Sequence, residues 1–204
     1  MSDIYSLKII NNSDQTGDFC LYQVDKNLED TNIMSLAWFS KSASAGTDLE
    51  YKWKLDYSFF WSKTGKLKPG IIFDSSHATK GSLTKNNVVT FNYENREYQF
   101  KNLTSDSHYN GLQYIECDMN IKMHEAAVGV GMHGIATFAR NAEPNLGFSF
   151  SPRIQYRLAF GSYQQGEVLD LHKISHFTVI DFPMNIYNMT ATLNSDNSWT
   201  VAPS

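Results

Sequence analysis

Cysteine is scarce: only Cys20 and Cys117 occur in 204 residues, far apart in the chain. Two thiols at that separation do not make a disulfide framework. Each sits in a strand-like context, DFCLYQ and YIECDM, where small buried thiols are the usual case. A zinc site needs more ligands at tighter spacing than these residues supply. Concentrated positive charge is missing as well. Formal net charge is −4, and the most basic stretch is the spaced set Lys52, Lys54, Lys63, Lys66 and Lys68. That falls short of the dense cationic face that releases counterions from a phosphate backbone, so nucleic acid is not an expected partner. No apolar run approaches the roughly 18 residues that a membrane helix needs. The opening MSDIYSLKII has neither a basic n-region nor an apolar stretch long enough for a secretory leader. The expected location is the cytoplasm, with export open only to a signal-independent route.

What the chain has in plenty is alternation. Aromatics make up 14% and charged residues 19%, a composition able to bury a ring-rich core without a polar tract that would prevent folding. YSLKII, DFCLYQV, MSLAWFS, NVVTFNY, REYQFKN, LQYIECDM, GIATFA, LGFSFSP, IQYRLAF, FTVIDF and NMTATL all read as short strands with period two. Turn chemistry separates them, as in NNSDQTGD, KTGKLKPG and NSDNS. The pattern predicts an all-β chain: one domain over residues 1–204, folded as an antiparallel β-sandwich or as two packed sheet units. Helical signal is confined to two short segments, NLEDTN (27–32) and IKMHEAAV (121–128). A hairpin is expected over Asn188–Pro203, turning at Asn194–Asn197, and Asn102–Gly111 reads as an exposed loop.

The densest aromatic stretch is LEYKWKLDYSFFWSK, Leu49–Lys63. On a strand, Tyr51, Trp53, Leu55, Tyr57, Phe59 and Trp61 share one face and Lys52, Lys54, Asp56, Ser58 and Ser62 the other, with Phe60 out of register. A one-sided apolar stripe of this kind predicts a single core-facing strand.

The motifs with chemical precedent mostly dissolve on inspection. GVGMHG, Gly129–Gly134, matches the dinucleotide fingerprint, but that chemistry needs a helix next, where this chain continues with the strand IATFAR. The glycines read instead as a bend or bulge between close strands. His124 and Glu125 start like a zincin helix, yet Val128 stands where the second histidine is required. His172 and His176 share a face with no evident third ligand. The carboxylate pairs Asp14 with Asp18 and Glu116 with Asp118 suit turns or a solvated strand as well as calcium or glycosidic chemistry. No nucleophile elbow, phosphate loop or activated cysteine is present. A triad assembled in space stays open, but a non-enzymatic protein without cofactor or metal is the expectation. The rings placed beside polar residues near turns are Trp38, Trp61 and Tyr163, the candidates for ligand binding.

Several blocks taken together resemble the RhiA-like proteins, a bacterial family named for a rhizosphere-expressed protein of rhizobia. They are SLAWFSK (35–41), DYSFFWSKTGKLKPG (56–70), AAVGVGMHGIATF (126–138), FGSYQQGEVLD (160–170) and YNMTATLNSDNSWTV (187–201). The resemblance implies a small soluble bacterial protein made under host- or density-linked control, and it carries over no functional residue. From the residues themselves the first expectation is a protein that self-assembles into homo-oligomers or ordered higher assemblies. This follows because a β-rich chain of modest charge must either blunt its edge strands or pair them. A lectin-like binder of carbohydrate or host surfaces is the alternative. A membrane-active, pore-forming-like β-protein, suited to its tyrosines and tryptophans, comes third.

Overall fold

In the computed structural model, residues 4–25, 32–151 and 154–204 are described, Ile154 by its backbone only. Among these residues the chain forms seventeen strands and one 3-10 turn, Ser107–Tyr109. The strands begin with β1 (Ile4–Asn11), β2 (Gly17–Asp25), β3 (Met34–Ser35), β4 (Ala37–Ala43), β5 (Asp48–Lys54) and β6 (Tyr57–Ser62). They continue with β7 (His77–Lys80), β8 (Val88–Glu94), β9 (Glu97–Thr104), β10 (Gln113–Cys117), β11 (Ala127–Met132) and β12 (Ile135–Asn141). The last are β13 (Gly147–Phe150), β14 (Ile154–Gly161), β15 (Phe177–Ile180), β16 (Asn188–Leu193) and β17 (Trp199–Pro203).

These strands make four sheets. Sheet 1 runs β17-β16-β1-β5, sheet 2 β15-β14-β2-β4, sheet 3 β3-β12-β11-β6-β7 and sheet 4 β13-β10-β8-β9. Sheets 1 and 2 enclose a core that includes Leu7, Ile9, Phe19, Leu21, Tyr51, Trp53 and Leu158. Sheets 3 and 4 enclose a second core with Phe59, Val89, Phe91, Ile115, Val128 and Phe148. The two ends of the chain build the first sandwich, and its middle, from β6 to β13, builds most of the second. The expected all-β sandwich is present, in the form of two packed sheet units. Pairing is mainly antiparallel, with two exceptions: β1 lies parallel to β16, from Ser6 opposite Asn188 to Asn11 opposite Leu193, and β10 lies parallel to β8. Met132 of sheet 3 reaches into the first core, and the Trp38 indole N–H donates to the Met132 carbonyl at 3.3 Å.

The stripe from Tyr51 to Trp61 is not one strand. The chain leaves sheet 1 at Lys54 and enters sheet 3 at Tyr57, so Tyr51 and Trp53 fill the first core while Phe59 and Trp61 belong to the second. Asp56 fixes the crossing by accepting the His133 N–H at 2.9 Å, and Leu55 is left 39% exposed. Phe60 is out of register because both faces of β6 are covered. It packs outward under residues Leu67, Phe73 and Val168. The outer face of β2 is covered likewise, Cys20 and Tyr22 lying under Leu169 and Ile174, which explains the continuous apolar run there. Both cysteines are buried and free.

Gly129 and Gly131 sit where β11 and β12 approach closely. A Cβ on Gly131 would fall 2.1 Å from the Ile135 carbonyl oxygen, and one on Gly129 2.3 Å from that of Phe138. The register shifts between Val130 and Gly131. His133 and Gly134 then turn the hairpin with φ of 57° and 72°, the positive pair that a type I′ turn requires. The glycine motif is therefore a bulged hairpin, as its strand context implied. IKMHEAAV forms no helix: a turn at 123–125 leads directly into β11. NLEDTN falls outside the described residues except for Asn32. The C-terminal hairpin is there, closed by Asn194 N–H donating to Ser198 O at 2.9 Å. Residues 102–111 are mostly exposed and begin within β9.

Candidate functional site

The three rings singled out from sequence lie in three different places. Trp38 is fully buried in the first core. This corrects its expected exposure: its strand is covered by sheet 1, and its indole is spent on Met132. Trp61 is half-buried at the edge of the second core and lies flat on His77, with ring centroids 4.0 Å apart and planes 7° apart. Tyr163 pins the segment over sheet 2, its backbone N–H donating to Asp18 Oδ2 at 3.1 Å and its carbonyl accepting from Ser40 Oγ at 2.9 Å. The structure does not bring these rings together as one site. Nor do the two C-terminal histidines pair on a ligand, because His176 Nε2 lies 2.7 Å from the Asn197 carbonyl oxygen and its ring packs near Trp199.

A different set of residues converges. At one end of the first sandwich, Tyr5, Leu55, Tyr57, Tyr156, Asp181 and Phe182 surround an open groove of about 320 Å³. Each arrives by simple strand logic. Tyr5 precedes Leu7 and Ile9 on the inward face of β1, and Tyr156 precedes Leu158 on the inward face of β14, so both rings cap the core at its open end. Tyr57 is the first residue of β6, placed by the crossing at Asp56, and Asp181 and Phe182 follow directly on β15. The rings are braced by one another. Tyr5 stacks on Trp53 at 5.9 Å and meets Phe182 edge-on at 5.0 Å, while Tyr156 packs on Trp53 at 5.4 Å. Aromatic pairs in these geometries hold position beyond their buried area.

The groove's polar groups are largely unspent. Among the described residues, neither the Tyr5 nor the Tyr57 hydroxyl makes a hydrogen bond, and Asp181 forms no ion pair. Burial raises the Tyr57 phenol above its ordinary value, with the neighbouring Tyr5 adding to it. Burial also raises Tyr156, followed by Tyr57 and Tyr5, while the Trp53 indole acts the other way. The Tyr57 and Tyr156 phenols therefore stay protonated, and a tyrosine hydroxyl can both donate and accept. A ring wall, converging hydroxyls and one carboxylate can hold a neutral, hydroxyl-rich molecule. Sequence reasoning missed this set because its members come from four separated segments. The available signal was tyrosine at or near the start of a strand, ahead of further inward-facing apolar residues.

A second groove, of about 510 Å³, crosses the outer face of sheet 4 between Lys101, Tyr114, Glu116, Asp118 and Asn145. Its lysine, one of its two carboxylates and its tyrosine are engaged internally. Lys101 pairs with Asp118 at 3.6 Å, Asp118 accepts the Asn120 N–H at 3.3 Å, and Tyr114 stacks on Tyr109 at 4.0 Å. Burial, then the Tyr109 hydroxyl and the charge of Glu116, push the Tyr114 phenol up to about 12. No group of three or more histidine, cysteine or acidic residues among the described residues is arranged to hold a metal. No described helix is long and apolar enough to cross a membrane.

Fold and grooves define the class first: an all-β double sandwich whose open core end is walled by tyrosine. The chain belongs to the RhiA family, whose family model matches residues 2–204. It is 31% identical over 202 residues to Protein RhiA of Rhizobium leguminosarum bv. viciae, an alignment that spans 98% of this chain and 86% of that protein. No solved structure matches it.

Proposed function

We propose that the protein is a non-enzymatic binding module that takes a neutral carbohydrate in the tyrosine groove. The observation that carries this reading is the convergence of two unengaged phenol hydroxyls, Tyr5 and Tyr57, with Tyr156, the Asp181 carboxylate and the Phe182 ring on one open groove. Sugars present hydroxyls at their edges and C–H faces that pack on rings, and this lining matches both. The lining also supports binding without turnover. Glycosidic hydrolysis uses two carboxylates flanking the bond, and the described residues lining the groove include one, Asp181, and no histidine, serine or cysteine to make a nucleophile and base. Trp53, stacked behind Tyr5, gives the experiment its readout. Tryptophan fluorescence titrations with neutral oligosaccharides, supported by a glycan array, should show saturable binding that the Tyr5→Phe and Tyr57→Phe changes weaken.

Self-association is the second reading, favoured by the exposed apolar residues of the same end. Ile4 is 52%, Leu55 39% and Met184 90% exposed, on the strand ends and loop that carry the groove. Open strand edges give it less support. β5 carries Asp48, Glu50, Lys52 and Lys54, β9 carries Glu97 and Lys101, and β17 ends in Pro203, all devices that blunt edge pairing. A homotypic contact would therefore use the groove end. Sedimentation over a wide concentration range should then show an oligomer that Met184→Asp dissociates, and a persistent monomer would end this reading.

A further inference from the structure

The tyrosine groove carries a charge that a neutral sugar leaves unmatched. Asp181 lines it, and the described lining includes no lysine, arginine or histidine. Among the described residues Asp181 forms no ion pair. Lys54 and Asp56, on either side of the lining residue Leu55, offset each other in charge. The groove therefore presents one net negative charge beside a wall of rings. Those rings are set at angles. Phe182 stands at 85° to Tyr5 and at 78° to Tyr156, with centroids 5.0 and 5.9 Å apart, so the three form a corner and not a flat platform. Tyr57 adds a fourth ring to the same lining. Aromatic rings carry negative potential on their faces, and a cation whose charge is spread under methyl groups packs against several of them at once. The groove volume of about 320 Å³ falls at the small end of the roughly 300–1,000 Å³ of ligand pockets, which suits a small solute.

We propose that the groove also takes a quaternary ammonium group, with Tyr5, Tyr57, Tyr156 and Phe182 as its ring wall and Asp181 as its counter-ion. The ligand class is a small alkylated ammonium compound of the choline type. This cation shares the groove with the carbohydrate of the proposed function but does not depend on it: rings and a carboxylate make its site, where sugar binding uses the phenol hydroxyls.

Two probes of one shape test it on the isotope-labelled full chain at fixed ionic strength. Choline carries the charge, and dimethylbutanol, its carbon isostere, carries none. The readout is the magnetic resonance signal of the Trp53 indole N–H, since Trp53 packs on Tyr5, Tyr156 and Phe182. Choline should bind about 5–50-fold more tightly than the alcohol. Asp181→Asn, a change at an exposed residue, should narrow that gap by about 2–5-fold, the range of a water-screened ion pair. Equal binding of the two probes, no response to choline, or a gap that Asp181→Asn leaves unchanged would overturn the proposal. A response to oligosaccharides without one to choline would overturn it and leave carbohydrate binding standing. A response to choline alone would support it and remove carbohydrate binding.

Discussion

The two surface grooves differ in what their polar groups are doing. On sheet 4, Lys101 is paired with Asp118, and a methyl at Gly147 would fall 1.8 Å from the Tyr114 hydroxyl. Tyr114 lies across the backbone there and stacks on Tyr109. That groove is the larger, yet a ligand entering it would have to break contacts the protein already makes. At the end of the first sandwich the reverse holds: the rings are locked by packing on Trp53 and Phe182, while the Tyr5 and Tyr57 hydroxyls are left over. Rigid rings with spare hydrogen-bonding capacity lose little entropy when a ligand arrives. The comparison teaches that unspent polar groups on a braced wall distinguish a binding groove better than its volume does.

The largest effect expected from breaking that contrast is at Trp53, the ring on which Tyr5 and Tyr156 rest. Trp53→Ala should cost about 3–5 kcal/mol of stability in denaturant titration and abolish groove binding, whereas Tyr109→Ala, behind the outer groove, should leave that binding intact. Next comes the paired change Tyr5→Phe with Tyr57→Phe. Loss of two hydroxyls worth roughly 0.5–1.5 kcal/mol each should weaken carbohydrate binding by about 5–150-fold in calorimetry, with stability changed by under about 0.5 kcal/mol. Smaller still is Lys101→Met. A partly exposed ion pair contributes about 0–1 kcal/mol, and ligand affinity should not move. Last comes a pH dependence at the outer groove, cut back by water because Tyr114 is only partly buried. Folding raises the Tyr114 phenol from 10.0 to about 12. A raised acid contributes stability that is present below pH 10 and lost as pH rises toward 12, so phenolate absorbance and unfolding should advance together in that window. Tyr114→Phe should blunt this coupling without touching the tyrosine groove.

Much of the fold was legible in the chain. Alternation in β1, β2, β14 and the C-terminal hairpin reports strands directly, and the strand after GVGMHG marked those glycines as a hairpin feature. The division into two sandwiches was harder to read. Alternation passes unbroken from Trp53 through Leu55 to Tyr57 although the chain changes sheets there, because each core independently wants an aromatic on the same parity. Parallel pairing of β1 with β16 joins residues more than 180 positions apart (Ser6 Oγ to Asn188 Oδ1, |i−j| of 182), and no local pattern encodes it. The site was the least legible part. Trp38 looked like a rim residue because Ser40 and Lys41 follow it, but its own strand is covered by sheet 1. Tyr57 read as one ring of a core-facing stripe and Tyr5 and Tyr156 only as members of short strands, and only the tertiary fold leaves their edge of the core open.

The central claim is that the tyrosine groove is where this protein meets its ligand. The most direct measurement is a tryptophan fluorescence titration of the unmodified chain and of the Tyr5→Phe, Tyr57→Phe double variant against one panel of neutral oligosaccharides. The account expects a saturable change for at least one sugar, lost or shifted to much higher concentration in the variant. Binding of equal strength in both proteins, or no response to any sugar in the panel, would contradict it.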